Sequence, residues 1–239
     1  MIFITGDIHG DYDIHKFSTK NFPMQKRLTR SDYMIICGDF GLVWDNSKSE
    51  RYWLNWLEQK TWTTLFIDGN HENFDLLESY PLTEWNGTQV HQITEHIIHL
   101  CRGSVFELEN KRFFAFGGAE SHDKKFRKKG ISFWEQEMPN SQEMQHGREN
   151  LEKINWQTDI IITHTLPHHL QAKLFKHQDY KNNALTKYFD EIETKLNFKF
   201  WFSGHYHISK SLDEKHVLVY HNILQLTDNG FSCVYPPIN

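Results

Sequence analysis

Residues 2–10 read IFITGDIHG, and the pattern returns at 34–39 as MIICGD, at 65–72 as LFIDGNHE, at 160–165 as IIITHT and at 200–207 as FWFSGHYH. Each is a short apolar run that closes in glycine or threonine and presents Asp, Asn or His. The runs Ile2 to Thr5, Tyr33 to Cys37, Thr64 to Ile67, Ile160 to Thr163 and Phe198 to Phe202 are rich in Ile and Phe. Their length and composition predict strands covered on both faces. Most are separated by enough chain for a helix, so the expected units are βαβ crossovers with parallel strands. Ligands of open α/β sheets bind beyond the carboxyl ends of such strands. Asp7, His9, Asp39, Asn70, His71, His164, His205 and His207 are therefore predicted to meet in one crevice.

Two Asp, one Asn and four His form a donor set of particular chemistry. Two divalent cations held side by side need a shared carboxylate with N and O ligands around it. A lone histidine after a strand is ordinarily a satisfied structural residue. Five such placements in one chain do not fit that explanation.

The segments GDIHG at 6–10, GD at 38–39, GNHE at 69–72, the strand-end His164 and GHYH at 204–207 resemble, in order and spacing, the calcineurin-like metallophosphoesterases. The resemblance runs from residue 6 to 207. It implies an α/β fold, a layered α/β/β/α sandwich with the dimetal site at the carboxyl ends of the strands. It also implies that Asp7, His9 and His207 hold one metal, that Asn70, His164 and His205 hold the other, and that Asp39 bridges them. His71, with Asp39 and Asn70 beside it in the catalytic group, would contact the phosphate and protonate the leaving group; Asn70 would also touch substrate. A water between two cations is acidified toward neutrality, giving a hydroxide for in-line attack on phosphorus. An imidazole titrating near neutral pH suits the general acid. The cofactors implied are two divalent ions, manganese first, with Fe, Zn, Co or Ni as other occupants.

One motif departs from the phosphoprotein phosphatases that the chain resembles. Where those read GD, two residues, then Asp-Arg-Gly, residues 38–45 read GDFGLVWD. Leu42 and Val43 replace a carboxylate that orients the catalytic histidine and a guanidinium that grips phosphate. Asp45 is the nearest substitute for the first. For the second, SHDKKFRKKG at 121–130 carries five Lys and Arg residues, and Arg127 is the expected substrate contact. The alternative for this stretch is a solvated surface loop. Around it, VFEL and RFFAFGG flank Glu109-Asn110 as a predicted hairpin packed by Phe113, Phe114 and Phe116. The following segment, with Trp134 and Pro139, reads either as a lid over the crevice or as a surface loop after the second sheet.

The 239 residues suit a single domain, 1–239, with a sizeable core. Eight tryptophans and 15% aromatic residues argue against disorder. Trp53, Leu54 and Leu57 share one helical face. Leu185, Tyr188, Phe189, Ile192 and Leu196 mark a late amphipathic helix capped by Asn182-Asn183. Three scattered cysteines show no disulfide or CxxC pattern. No leader precedes the first strand and no apolar stretch reaches membrane-spanning length, so a cytoplasmic protein is expected. A formal net charge of −5 gives no general attraction to nucleic acid, which is expected at most as substrate. Of sixteen histidines, His91, His96, His99, His146 and His216 carry no motif. His168 and His169 either line the crevice or start a helix after Pro167, and His221 closes an expected strand at Val217 to Tyr220.

A scaffold that had kept the fold and lost the chemistry is the competing function class. Every site position is filled, which favours the enzyme on site completeness. Phosphomonoester or phosphoprotein hydrolysis stands slightly ahead of phosphodiester or nuclease cleavage, because GNHE is phosphatase-like while the missing Asp-Arg pair is not.

Overall fold

A computed structural model describes residues 1–175 and 182–236. In chain order, the first strands are β1 (Ile2–Thr5), β2 (Tyr33–Ile36), β3 (Thr63–Phe66), β4 (Leu82–Trp85), β5 (Thr88–Gln92) and β6 (Ile97–Leu100). A second group follows as β7 (Ser104–Leu108), β8 (Lys111–Phe116), β9 (Ile160–Thr163), β10 (Phe200–Ser203), β11 (Lys210–Ser211) and β12 (His216–Leu218). The chain then returns to the first group with β13 (Ile223–Thr227) and β14 (Gly230–Tyr235). The first sheet runs β14-β13-β1-β2-β3-β6-β5-β4 and the second β11-β12-β10-β9-β8-β7. Helices α1 (Lys48–Glu58), α2 (Phe74–Leu77), α3 (Ser141–Lys153), α4 (His168–Leu174) and α5 (Ala184–Lys195) complete the chain.

Strand alternation builds the layers. Ile2, Ile4, Ile35 and Leu65 face Phe106, Phe113, Ile160, Ile162 and Phe202 in a core between the two sheets. The opposite faces are equally apolar: Phe3, Met34, Ile36 and Phe66 pack with Leu54 and Leu57 of α1, while Phe114, Phe116, Ile161 and Trp201 pack with Leu185, Phe189 and Ile192 of α5. Both faces of each central strand are buried, which is why the runs read as continuous hydrophobic stretches. The result is the α/β/β/α sandwich.

The pairs β1·β2, β2·β3 and β9·β10 are parallel and in register. The five ligand-bearing strands are therefore shared between two sheets, three in one and two in the other, with their carboxyl ends at a common edge. The β7–β8 hairpin turns at Glu109 and Asn110, whose φ values of 49° and 60° are both left-handed, as the twist of a two-residue hairpin demands. Asn183 caps α5 by accepting from Thr186 N. Strand limits differ from the expected ones by a residue or two: Cys37 and Ile67 lie just beyond their strands, and Phe198 just before β10. No helix among the described residues is long and apolar enough to cross a membrane.

Phe113 is fully buried between the sheets and stacks on Phe106 at 5.2 Å. Phe113→Ala is expected to lower unfolding free energy by about 3–5 kcal/mol through transfer and cavity terms, measured by urea denaturation. A loss below about 1 kcal/mol would contradict the two-sheet core at this point.

Candidate metal centre and active site

The residues after β1, β2, β3, β9 and β10 converge at the shared edge. Asp39 is the meeting point: Oδ2 lies 3.4 Å from His9 Nε2, and Oδ1 lies 3.3 Å from His164 Nε2. Oδ1 also accepts from Asn70 N and His71 N, each at 2.8 Å. Asp7 Oδ2 sits 3.3 Å from His207 Nε2 and 3.9 Å from His9 Nε2. Two three-donor groups result, Asp7/His9/His207 and Asp7/Asp39/His164, with the donor atoms of each within 4.8 Å of one another. His205 joins neither group among the described residues. Its backbone N–H donates to Asp7 Oδ1 at 3.0 Å, and its ring lies 5.0 Å from that of His164.

The backbone is bent to achieve this. His9, Asp39, His205 and His207 have φ values of 43°, 47°, 70° and 52°. Left-handed backbone at a non-glycine residue costs about 1–3 kcal/mol and persists where the surroundings over-determine it. Gly69 and Gly204 let the loops close up, since a Cβ on either would overlap the carboxylates of Asp39 and Asp7.

The calcineurin-like phosphoesterase profile matches residues 1–209. The chain belongs to that family. Among curated relatives, the lariat debranching enzyme of Schizosaccharomyces pombe is 25% identical over 187 residues, covering 71% of this chain and 37% of the relative. Lariat debranching enzyme A of Xenopus laevis is 24% identical over 237 residues, covering 87% and 42%. The chain thus spans less than half the length of these relatives. A solved phosphopantetheinyl hydrolase of Mycobacterium tuberculosis aligns with a TM-score of 0.43 at 14% identity, over 92% of this chain and 87% of that one.

Calcineurin-like phosphoesterases are a dimetal-dependent family, and the donors converging here fit that requirement. His164 Nδ1 is hydrogen-bonded to Cys37 O at 2.7 Å, so Nε2 turns toward Asp39 Oδ1 and toward Asn70 Oδ1 at 3.2 Å. His9 Nδ1 is held by Asp13 Oδ2 at 3.0 Å, which likewise aims Nε2 inward. Lone-pair atoms that converge in this way call for a cation, and outer hydrogen bonds of this kind set the tautomer of a ligating histidine. The potential is strongly negative. Burial opposes protonation of His164, yet Asp39 and Asp7 outweigh it and raise the imidazole to about 10. Partial burial likewise opposes protonation of His9, but Asp39, with Asp7 and Asp13, raises it to about 9. Burial alone raises Asp39, but His164 and His9 hold its carboxyl well below the usual range. Burial, then His164, pushes His205 down to about 3, leaving a neutral ring with a free lone pair for a metal.

His71 lies across His9, ring centroids 5.6 Å apart. Arg127 reaches it: Nη2 is 3.0 Å from His71 Nε2 and Nη1 3.3 Å from Nδ1. A neutral imidazole has one ring lone pair, so only one of these approaches is a full hydrogen bond. Asp123 braces Arg127 through Nε at 2.7 Å. Burial, then Arg127, His9 and His164, lower His71 despite Asp39; an arriving phosphate anion works in the opposite direction and favours its protonated form. The segment carrying Arg127 docks over the site, with Trp134 edge-on to Trp44 at 5.3 Å and donating to Asp75 Oδ2 at 2.8 Å.

Other expected positions fall elsewhere. Asp45 does not reach His71; its Oδ1 accepts from Ser47 N at 2.9 Å in an exposed turn. His168 begins α4 after Pro167, and His169 pairs with Asp190 at 3.0 Å on α5, away from the crevice. His221 is exposed and packs on Tyr220 at 3.8 Å. Several supporting residues carry no motif and were illegible in the sequence. Buried Lys16 donates to Gly6 O, Asp7 O and Tyr220 O at 2.8–2.9 Å. Buried Glu72 accepts from Phe40 N and Gly41 N. Asn70 Nδ2 donates to Ser121 Oγ at 3.1 Å, and Ser121 donates to buried Glu137 at 2.7 Å, which turns the Asn70 oxygen toward His164. Glu72 closes GNHE and Ser121 opens the 121–130 stretch, but neither position signalled these hydrogen bonds.

His71→Ala is expected to lower turnover by about 10²- to 10⁴-fold, the ordinary range for a lost general acid, while metal content stays at wild-type level. Unchanged turnover in a steady-state assay would remove His71 from the chemistry.

Proposed function

We propose that this phosphoesterase cleaves phosphodiesters that carry a nucleoside, using Mn²⁺ at both metal positions. The observation that carries the reading is a cleft of about 540 Å³ beside the candidate metal ligands, lined by His9, His71 and His207 and walled by Tyr12, Trp44 and Tyr220. Tyr12 is 82% exposed at its rim. Tyr220 is fixed by stacking on His207 at 4.6 Å and by its hydroxyl on Asp13 at 3.3 Å. Aromatic faces beside a phosphate site offer a nucleobase about 1–3 kcal/mol of stacking. The relatives named for lariat debranching are consistent with a nucleic-acid ester.

In this scheme Asp7, His9 and His207 would hold one cation and Asn70, His164 and His205 the other, with Asp39 within reach of both. Bound there, divalent cations would supply acidification of water and charge neutralisation at the phosphoryl oxygens. Asp13, Cys37 and Ser121 keep the ligating atoms aimed inward. His71 gives a ring proton to the leaving oxygen, and Arg127 steadies both His71 and the phosphate. A second reading, monoester hydrolysis, draws on Arg127 itself, whose added positive charge suits a terminal phosphate dianion.

The test uses metal-stripped protein with Mn²⁺ restored, comparing bis-p-nitrophenyl phosphate, p-nitrophenyl phosphate and the p-nitrophenyl ester of thymidine 5′-monophosphate. The two diesters are expected to turn over faster than the monoester. Tyr12→Ala is expected to raise KM for the thymidine ester by about fivefold or more and to leave the small diester unchanged. A faster monoester, with that advantage lost in Arg127→Ala, would support the second reading; no turnover of any ester would favour a non-catalytic scaffold.

A further inference from the structure

We propose that His91, His99 and Cys101 form a third metal site, suited to Zn²⁺, separate from the dimetal centre. Strands β5 and β6 are antiparallel, and His91 stands directly opposite His99. Cys101, two residues beyond His99, falls on the same face by strand periodicity. His91 Nδ1 and His99 Nδ1 are 3.0 Å apart, and Cys101 Sγ is 3.8 Å from His91 Nδ1. All three donor atoms lie within 4.8 Å of one another.

These separations match tetrahedral zinc. Bond lengths of about 2.05 Å to nitrogen and 2.3 Å to sulfur require about 3.3 Å between two nitrogens and 3.6 Å between nitrogen and sulfur. The two rings are nearly parallel, at 9°, so both lone pairs reach one ion after a small χ2 rotation, a soft motion for histidine. Two imidazoles and a thiolate are a donor set suited to zinc and unsuited to magnesium or calcium.

The surroundings are those of a built site. His99, buried, has its Nε2 3.3 Å from Asp68 Oδ1. Asp68 is itself buried and clamped by Arg102 at 2.6 and 3.0 Å. That carboxylate accepts a hydrogen bond from Nε2–H and so leaves Nδ1 with the lone pair, the usual support of a ligating histidine. Burial, then His99, pushes His91 down to about 4, so its ring is neutral. Binding must displace the Cys101 thiol proton, because the ligand form of cysteine is the thiolate. The three residues open on a cleft of about 370 Å³ that Phe74, Glu78, Gln142 and Glu143 also line. A fourth position facing that cleft is left for water or a small ligand, as in open three-ligand zinc sites.

The alternative is a hydrogen bond from His91 Nδ1 to His99 Nδ1 with no ion. Metal analysis of the full chain equilibrated with Zn²⁺, followed by cobalt substitution, separates the two. The site predicts about three zinc ions per chain in the wild type and about two in Cys101→Ser and in His91→Gln. It also predicts a thiolate-to-cobalt charge-transfer absorption that Cys101→Ser removes and Asp39→Asn retains. That last variant makes the result independent of the dimetal centre, and two single variants guard against one misfolding. Two ions per chain in the wild type, or no thiolate absorption in the cobalt protein, would overturn the site.

Discussion

A buried carboxylate with one oxygen turned to each side is the constraint on which the rest depends. Asp39 sits between His9 and His164, and its Oδ1 also gathers the backbone N–H groups of Asn70 and His71. An anion in a nearly water-free setting is costly unless it is matched by charge and hydrogen bonds. Its partners come from β1, β3 and β9, so satisfying Asp39 ties both sheets together at one edge. The same interaction explains why Gly69 approaches so closely and why Asp39 accepts a left-handed backbone.

The sandwich supplies what that constraint needs. Packing between the sheets is chiefly apolar, so the strand ends are firmly placed, and left-handed backbone at His9, Asp39, His205 and His207 falls in the loops that follow them. Strain at four of the candidate ligands is then held by the scaffold, a pattern found at functional sites. Outer residues finish the arrangement. Lys16 collects three carbonyls behind the Asp7 loop, Asp13 turns His9, and Ser121 turns Asn70. The segment bearing Ser121 and Arg127 is thus more than a surface loop, since it touches both Asn70 and His71.

Legibility in the sequence followed local periodicity. The β1 and β9 runs were readable to the residue because both faces are buried, and the β7–β8 hairpin because Glu109-Asn110 lies between alternating apolar segments. Residues that follow a strand directly, such as Asp7, Asp39 and His164, were visible for the same reason. Lys16, Asp13, Ser121 and Tyr220 were not, because they act at sequence separations of 4 to 207 through side-chain hydrogen bonds that leave no pattern. Asp45 looked apt by proximity in sequence, but the turn before α1 points it at Ser47. The His91–His99 pair carries no motif either, being created by cross-strand register.

The measurement closest to the central claim is the metal content of Asp39→Asn against wild type, by elemental analysis after equilibration with Mn²⁺ and removal of free ion. Near-complete loss of both active-site ions is expected, because the variant replaces a shared charged oxygen with an amide nitrogen. Retention of a full complement would show that neither ion depends on Asp39 and would contradict the bridging role.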